Sequence, residues 1–494
     1  MSAEDEIRNE RIAKIDKLRQ AGMEAYPAHT GTSETVQTFL ARFEHAVADQ
    51  KLTILAGRIM AKRGQGGIIF VDIFDGSTSL ATGGTARVQA VFQKSEMDEA
   101  RFALFADTAD SGDFVRVTGL AYLTKRGEQS VLVKEWTMLA KSLLPIPTEH
   151  FGIQDAELKL RERYLDILLD PELRAMFERR SKFWQTVRNF YLAHDFLEVE
   201  SPVLENTPGG ADARPFVTHH NALDIDVYMR IALELWHKRL LVAGFPRVFE
   251  IGRVFRNEGQ SREHLQDFTF LESYQAFSDM QEGMQFTKEL YQKIVKDVYG
   301  KYTFTINNHE VDFADEWKEL NFCDLIREKF GIDPLNCTEA EAIQAVRDAQ
   351  IQVGEALNLP RAIDHLWKSI RKGIAGPAFL VGIPVYLEPL AKRAADPRVV
   401  ERVQILIAGS EVGKGFSELN DPLDQRARFE EQQSMRDKGD DEAQRLDEDY
   451  VRAMEYGMPP SFGFGFSERL FSFLENRPAH ETQLFPLLRP RTQV

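Results

Sequence analysis

Four stretches of this chain concentrate residue types that can do chemistry. The densest is 247–274, where β-rich runs at 248–255 and 268–274 flank a turn carrying Arg256, Glu258, Arg262, Glu263 and His264. An arginine at a strand end beside a charged loop suits an anionic ligand, because guanidinium grips phosphate or carboxylate as a fork. A solvated hairpin tip with compensating charges has the same pattern. In 407–421, Glu411 and Glu418 stand seven apart with glycines between them. In an extended hairpin both can face one cleft, and paired carboxylates hold a divalent cation when a phosphate supplies further oxygens; an exposed hairpin is the plainer reading. In 459–474 glycines alternate with phenylalanines before Glu468-Arg469 and an apolar helix. Such a strand admits a flat ligand, or simply another backbone, at close range. In 207–241, Gly209-Gly210 mark a loop, and Arg230 and Glu234 open a helix. Glu234, flanked by Leu233 and Leu235, is either a charge at a helix N-terminus or a ligand for a substrate amine.

These side chains need a frame. Ile7, Ile12, Ile15, Leu18 and Met23 recur at helical spacing in 4–22, an amphipathic helix that needs a partner surface. From Leu52 the period changes to five short β-rich segments between glycine turns, with a helical stretch near 95–106 before the fourth. That layout fits a small closed barrel, of the oligonucleotide-binding or the SH3-like kind. The segment 142–155 holds two prolines and reads as a linker. Beyond it the chain is strongly helical, broken at Pro171, and then mixes strands and helices without βαβ alternation. This predicts an α+β domain on a mostly antiparallel sheet flanked by helices. The charge-rich stretch 436–450 reads as a solvated face. The expected divisions are a helical extension at 1–50, a barrel at 51–141, a linker at 142–165 and the α+β domain at 166–494.

Composition narrows the class. The 494 residues are 43% hydrophobic and 28% charged, as in ordinary globular proteins. Two cysteines exclude a disulfide scaffold and a zinc ribbon. The first 22 residues are charged throughout, and no run of 18 apolar residues occurs, so the expectation is a cytoplasmic protein with no secretory signal and no membrane span. A net charge of −16 speaks against a sequence-blind nucleic-acid binder.

Taken in order, the motifs resemble those of class II aminoacyl-tRNA synthetases, and within that class the lysyl-tRNA synthetase family, over nearly the whole chain. FLEVESPVL, ending at Pro202, resembles motif 1, the helix and strand of the dimer interface. FRNEG with its loop to His264 and Phe268 resembles motif 2. GFGFSER resembles motif 3. GGADARPFVTHHNALDIDVYMRIALELWHKRL and GFSELNDPLDQRARFEEQ are similar to lysyl-enzyme signatures. The resemblance implies an N-terminal five-stranded OB-fold barrel that binds the anticodon, a class II catalytic domain, a homodimer, and ATP-dependent ligation of L-lysine to tRNA(Lys) with Mg2+. It also implies residue roles. Arg256 would bind the α-phosphate and the amino-acid carboxylate, Glu258 the adenine amino group, and His264 would sit near the β- and γ-phosphates. Phe268 would stack on adenine, Arg469 would clamp the γ-phosphate, and Glu411 and Glu418 would hold magnesium. Arg256 and Arg469 would then be catalytic through positioning and electrostatics, with no protein nucleophile. For lysine, Glu234 would take the α-amino group with Gly210 nearby, and Glu272, Tyr274 and Glu418 would enclose the ε-ammonium. In the barrel, Arg63, Phe70 and Gln89 would contact the anticodon by stacking and hydrogen bonding.

The chain departs from the family pattern at Leu265-Gln266, Ser410 and Lys414, in the motif 3 spacing, and in extra barrel residues around STSLATGGTA. Two other readings compete: an aspartyl- or asparaginyl-type ligase of the same subclass, and a non-catalytic RNA-binding protein with a degenerate synthetase core. The first would need a cationic or amide-reading pocket in place of Glu234, Glu272 and Glu418. Charge is also unevenly placed. Residues 51–141 hold 12 lysines and arginines against 10 aspartates and glutamates, so the barrel is mildly basic in an acidic chain. Stacking and specific contacts then outweigh bulk attraction, and tRNA affinity should fall only shallowly with salt. A steep slope in a salt titration of tRNA binding would count against this partition.

Overall fold

Strand Thr53–Arg63 (β1) alternates buried and half-buried residues over its first half, as a strand with one face on a core must. In the computed structural model, which describes residues 3–64, 66–78, 85–147, 152–259, 261–353, 357–437 and 444–491, β1 is joined by Ile68–Thr78 (β2), Thr85–Gln93 (β3), Phe114–Leu123 (β4) and Gln129–Ala140 (β5). They close a five-stranded barrel in the order β1-β2-β3-β5-β4. Only the β3–β5 pair is parallel. The segment between β2 and β3 contains the extra residues noted in the sequence, of which 79–84 lie outside the described residues. Helix Glu99–Thr108 (α2) precedes β4 and drives Phe105 against Phe92 and Trp136 in the barrel core.

The N-terminal helix Ala3–Gln20 (α1) finds the partner surface its pattern demands. Ile15 and Leu18 are buried with the barrel residues. A charge cluster adds direction. Lys141, fully buried, lies 2.5 Å from Asp110 and 2.8 Å from Asp113, and Lys14 of α1 reaches Asp110 at 2.9 Å.

The chain divides into two compact units, Met1–Glu178 with Leu488–Val494, and Arg179–Leu487. The second contains an eight-stranded sheet built from Leu197–Glu198 (β6), Arg247–Phe255 (β7), Asp267–Ala276 (β8), Lys318–Asn321 (β9), Ala378–Val381 (β10), Arg402–Ile407 (β11), Ser410–Ser417 (β12) and Ser461–Ser467 (β13). Their order is β9-β10-β11-β12-β13-β8-β7-β6. The two outermost pairs are parallel and the rest antiparallel.

Four helices set the environment of this sheet: Pro171–Ala193 (α3), Glu234–Val242 (α4), Met280–Tyr299 (α5) and Leu359–Arg371 (α6). Asp279 caps α5 by accepting from the amides of Gln281 and Glu282, and Gly300 ends it at φ +70°. Helices α3 and α5 cover one face: Phe183 and Tyr291 meet Phe466, and Tyr291 donates to the Val412 carbonyl at 2.8 Å. One sequence expectation holds only in part. Of the charge-rich stretch 436–450, residues 438–443 lie outside the described residues; Asp437, Glu448 and Asp449 are exposed, but Asp447 and Tyr450 face inward. Asp447 is buried, accepts from Arg239 at 2.8 Å and caps the helix Glu448–Glu455, and Tyr450 is fully buried. Charge density marked a solvated face, but a buried ion pair and a cap account for the aspartate.

Lys141→Met would leave the fully buried Asp113 without its cation. Breaking a buried pair from one side costs about 3–5 kcal/mol. The expected outcome is an early denaturation transition of the barrel unit in urea; an unchanged midpoint would show that the cluster does not hold α1 and the barrel together.

Candidate active site

Side chains along a strand alternate between faces, so β8 can serve two environments. Ser273 points to the helix layer and donates to the Tyr191 hydroxyl at 3.0 Å. Phe268, Phe270, Glu272 and Tyr274 line a cavity of about 320 Å³ on the other face. The same cavity is walled by Gly210, Asp212, Glu234, Arg256, Arg402, Gln404, Glu411, Lys414, Phe416, Glu418 and Arg469. The hairpin, the glutamate pair, the glycine strand and the helix start found in the sequence therefore converge on one cleft. The glycine strand has a specific reason: a Cβ at Gly463 would meet Tyr274 at 2.6 Å and collide with the Glu418 carboxylate, so the close approach here is to protein. At Gly210, φ is +83° and a Cβ would meet Glu234 and Ala232 at 2.9 and 3.0 Å.

One end of the cleft is acidic. Glu234, Glu272 and Glu418 are all at most 5% exposed. Between them stands Lys238, fully buried, one turn along α4 from Glu234. Its ammonium lies 2.5 Å from Glu234, touches Glu418, and sits 5.2 Å from the Phe416 ring centre. Burial alone would lower the Lys238 pKa; Glu234 and Glu418 outweigh it and raise it well above the ordinary value. Among the described residues Glu272 forms no ion pair. It accepts the Leu233 amide at 3.2 Å and the Tyr274 hydroxyl at 3.0 Å. Burial, and then the charge of Glu234, push its carboxyl up to about 8.

The other end is cationic. Arg256, at the tip of β7, stands over the Phe268 and Phe270 rings at 5.4 and 5.9 Å and donates to the Ile231 carbonyl. Arg469 donates to the Glu411 carbonyl at 3.3 Å. Glu411 accepts the Trp367 indole N–H at 2.6 Å. Along one wall Lys414 and Arg402 share the buried Glu388 at 3.1 and 3.4 Å. Burial opposes the Glu388 charge, but these two cations hold its pKa below the ordinary value. Glu258 and His264 do not line the cleft. The His264 ring meets Ser261 Oγ at 2.7 Å, and the Glu258 carbonyl accepts from Gln266 at 3.4 Å.

Beneath α4 runs a polar strut. Glu250 on β7 accepts from Arg230 at 2.7 Å and from the amide and hydroxyl of Ser201 at 2.9 and 2.6 Å, and meets His237 at 3.1 Å. The segment at Ser201-Pro202 is thereby tied to the helix that carries Glu234 and Lys238. Lys238 escaped the sequence reading, although its i+4 spacing from Glu234 is a readable signal. Arg402 and Gln404, two apart on β11, gave none.

On the barrel, Arg63 pairs directly with Phe70, and Gln89 with Asp72. Directly paired residues and those two apart share a face, so all four side chains lie on the outer face of the barrel, where Gln89 is buried. Arg63 forms two 2.9 Å hydrogen bonds to Asp72. Gln89 is held by Glu128 and Ser130.

The family described as tRNA synthetases class II (D, K and N) matches residues 155–489, and the OB-fold nucleic acid binding domain matches 53–139. The lysine–tRNA ligase of Roseiflexus sp. (strain RS-1) is 40% identical over 493 residues, 99% of each chain. That of Halalkalibacterium halodurans is 40% identical over 490 residues, 97% of this chain and 96% of the relative. That of Thermotoga maritima is 38% identical over 493 residues, 98% and 96% of the two chains.

Glu272 offers a test without substrate. Its folded pKa is about 8 against 4.5 ordinarily, so the folded state binds the proton more tightly and stability falls as pH rises through that window. Glu272→Gln lacks this titration. Its melting temperature should gain on the wild type from about pH 5 to about pH 8. A constant difference across that range would remove Glu272 as the protonated carboxyl.

Proposed function

This chain belongs to the class II tRNA synthetases of the D, K and N group, and from that membership we propose that it is a lysine–tRNA ligase, activating L-lysine with ATP and passing it to the 3′ end of tRNA(Lys). The observation that carries the proposal is the polarity of the cleft: buried carboxylates at one end and arginines at the other. A diamino acid has its cationic side chain at one end and its reacting carboxylate at the other, and ATP brings phosphates to the same point as that carboxylate. The arrangement supports Glu272 and Tyr274 as the receptors of the ε-ammonium, with Glu418 behind them. Glu234 and Gly210 would receive the α-amino group. An anionic side chain would be repelled by this acidic end, and a neutral one would give Glu272 no cation in exchange for its proton, which disfavours aspartate and asparagine.

Arg256 then bridges the amino-acid carboxylate and the α-phosphate. It holds them for in-line attack and stabilises the charge that builds on the phosphorus oxygens. Phe268 offers the adenine ring a face, Arg469 takes the terminal phosphate, and Glu258 and His264 would serve the adenine amino group and the β- and γ-phosphates. Pyrophosphate leaves, and a terminal ribose hydroxyl of the tRNA then attacks the carbonyl of the mixed anhydride, forming the ester as the acyl–phosphate bond breaks and AMP leaves.

Magnesium needs few protein ligands when phosphates supply oxygens. Among the described residues no cluster of three His, Cys, Asp or Glu side chains could hold a metal. Glu411, beside Arg469, fits a magnesium ion shared with the phosphates. Glu418 does not, because a dication there would press against the Lys238 ammonium. When bound, the ion would neutralise charge on the leaving pyrophosphate. The barrel patch of Arg63, Phe70 and Gln89 is proposed to read the anticodon, and the segment ending at Pro202 to join a homodimer. No helix among the described residues is long and apolar enough to cross a membrane, and a cytoplasmic setting follows from the proposed role in translation.

Amino-acid-dependent ATP–pyrophosphate exchange across lysine, aspartate and asparagine tests the reading. Exchange should require lysine. Removing a charged hydrogen-bond partner costs about 1.5–3 kcal/mol, so Glu272→Gln should lose roughly 10- to 100-fold in kcat/KM for lysine. Exchange with aspartate alone would overturn the assignment, and a fully efficient Glu272→Gln enzyme would overturn the pocket.

A further inference from the structure

Arg371 is the last residue of α6 and the mechanism above gives it no role. The helix end is clamped to the turn that leads into Glu411. The amides of Ala408 and Gly409 donate to the carbonyls of Ala375 and Ile374 at 2.6 and 2.8 Å. Gly409, at φ +75°, leaves room for the Lys372 carbonyl, which a Cβ would meet at 3.0 Å. Just beyond this turn, Ser410 donates to Glu263 at 2.8 Å and the Glu411 carbonyl accepts from Arg469.

Among the described residues the half-buried Arg371 side chain makes no hydrogen bond and no ion pair, and its Nε is buried without a partner. The Nε of Arg469 is buried and unpartnered too. The charge of Arg371 reaches both Arg469 and His264. Trp367, one turn before Arg371 on α6, donates to the Glu411 carboxylate, and Arg469 donates to the Glu411 carbonyl, so the two guanidiniums flank the start of β12 and repel one another. An anion with several oxygens relieves that repulsion, and guanidinium matches phosphate geometry.

We propose that Arg371 is a further ATP-binding residue, gripping the terminal phosphate opposite Arg469. This rests on the reading of the cleft as an ATP site. A bland alternative is a cation that merely complements the C-terminal dipole of α6, and it predicts no nucleotide selectivity.

Titration calorimetry of the full-length chain with β,γ-methylene-ATP and with AMP, both with Mg2+, separates the two. The wild type should bind the triphosphate analogue more tightly than AMP. In Arg371→Gln the analogue should weaken on the order of 10-fold while AMP is unchanged. Arg371→Lys, which keeps the charge and loses the fork, should fall between, and it carries the test if the glutamine variant does not fold. A variant that binds the analogue like the wild type, or that loses AMP and the analogue equally, overturns the proposal. A wild type that binds neither nucleotide refutes the ATP reading itself.

Discussion

The cleft depends on one buried cation. Three carboxylates packed into so small a volume would repel one another and lose their hydration. Lys238 makes the arrangement tenable by pairing with Glu234 and touching Glu418, leaving Glu272 to keep its proton. The pocket is thus already adapted to an ammonium group. Substrate recognition adds a second cation to a site whose geometry is set by the first.

That cation works only because the scaffold around it is rigid. Helix α4 delivers Glu234 and Lys238 from successive turns, and it is fixed underneath by the Arg230–Glu250–Ser201 strut. The sheet supplies the rest through its two-residue period. On β8 one set of side chains packs under α3 and α5 while the alternate set forms the cleft wall, so a slip of one residue would exchange core for site. At the cationic end the logic reverses. Arg371 and Arg256 bear on Arg469 despite the nearby Glu263 and Glu411, a repulsion that an incoming polyphosphate relieves.

Much of this was legible in the chain. The barrel followed from five short strands with glycine turns. The motif 2 hairpin followed from a charged turn between β-rich runs, and its strands run at 247–255 and 267–276. The pairing of Glu411 with Glu418 in one cleft was also legible, but their separate environments were not. Glu411 meets an indole and Glu418 an ammonium, and both partners come from distant segments. The stretch around Asp447 misled for the same reason, since its partner Arg239 is 208 residues away.

The sequence by itself determined the barrel and the antiparallel sheet, because these rest on local periodicity, and through the resemblance of its ordered motifs it pointed to the family and to most groups in the cleft. Tertiary structure alone decided which charges neutralise which. Lys238 shares its helix with Glu234 but meets Glu418 only across the fold, Glu272 forms no ion pair among the described residues, and Arg371 comes to Arg469 from another element. The strength of a charge pair depends on distance and desolvation, and neither is a property of the linear chain.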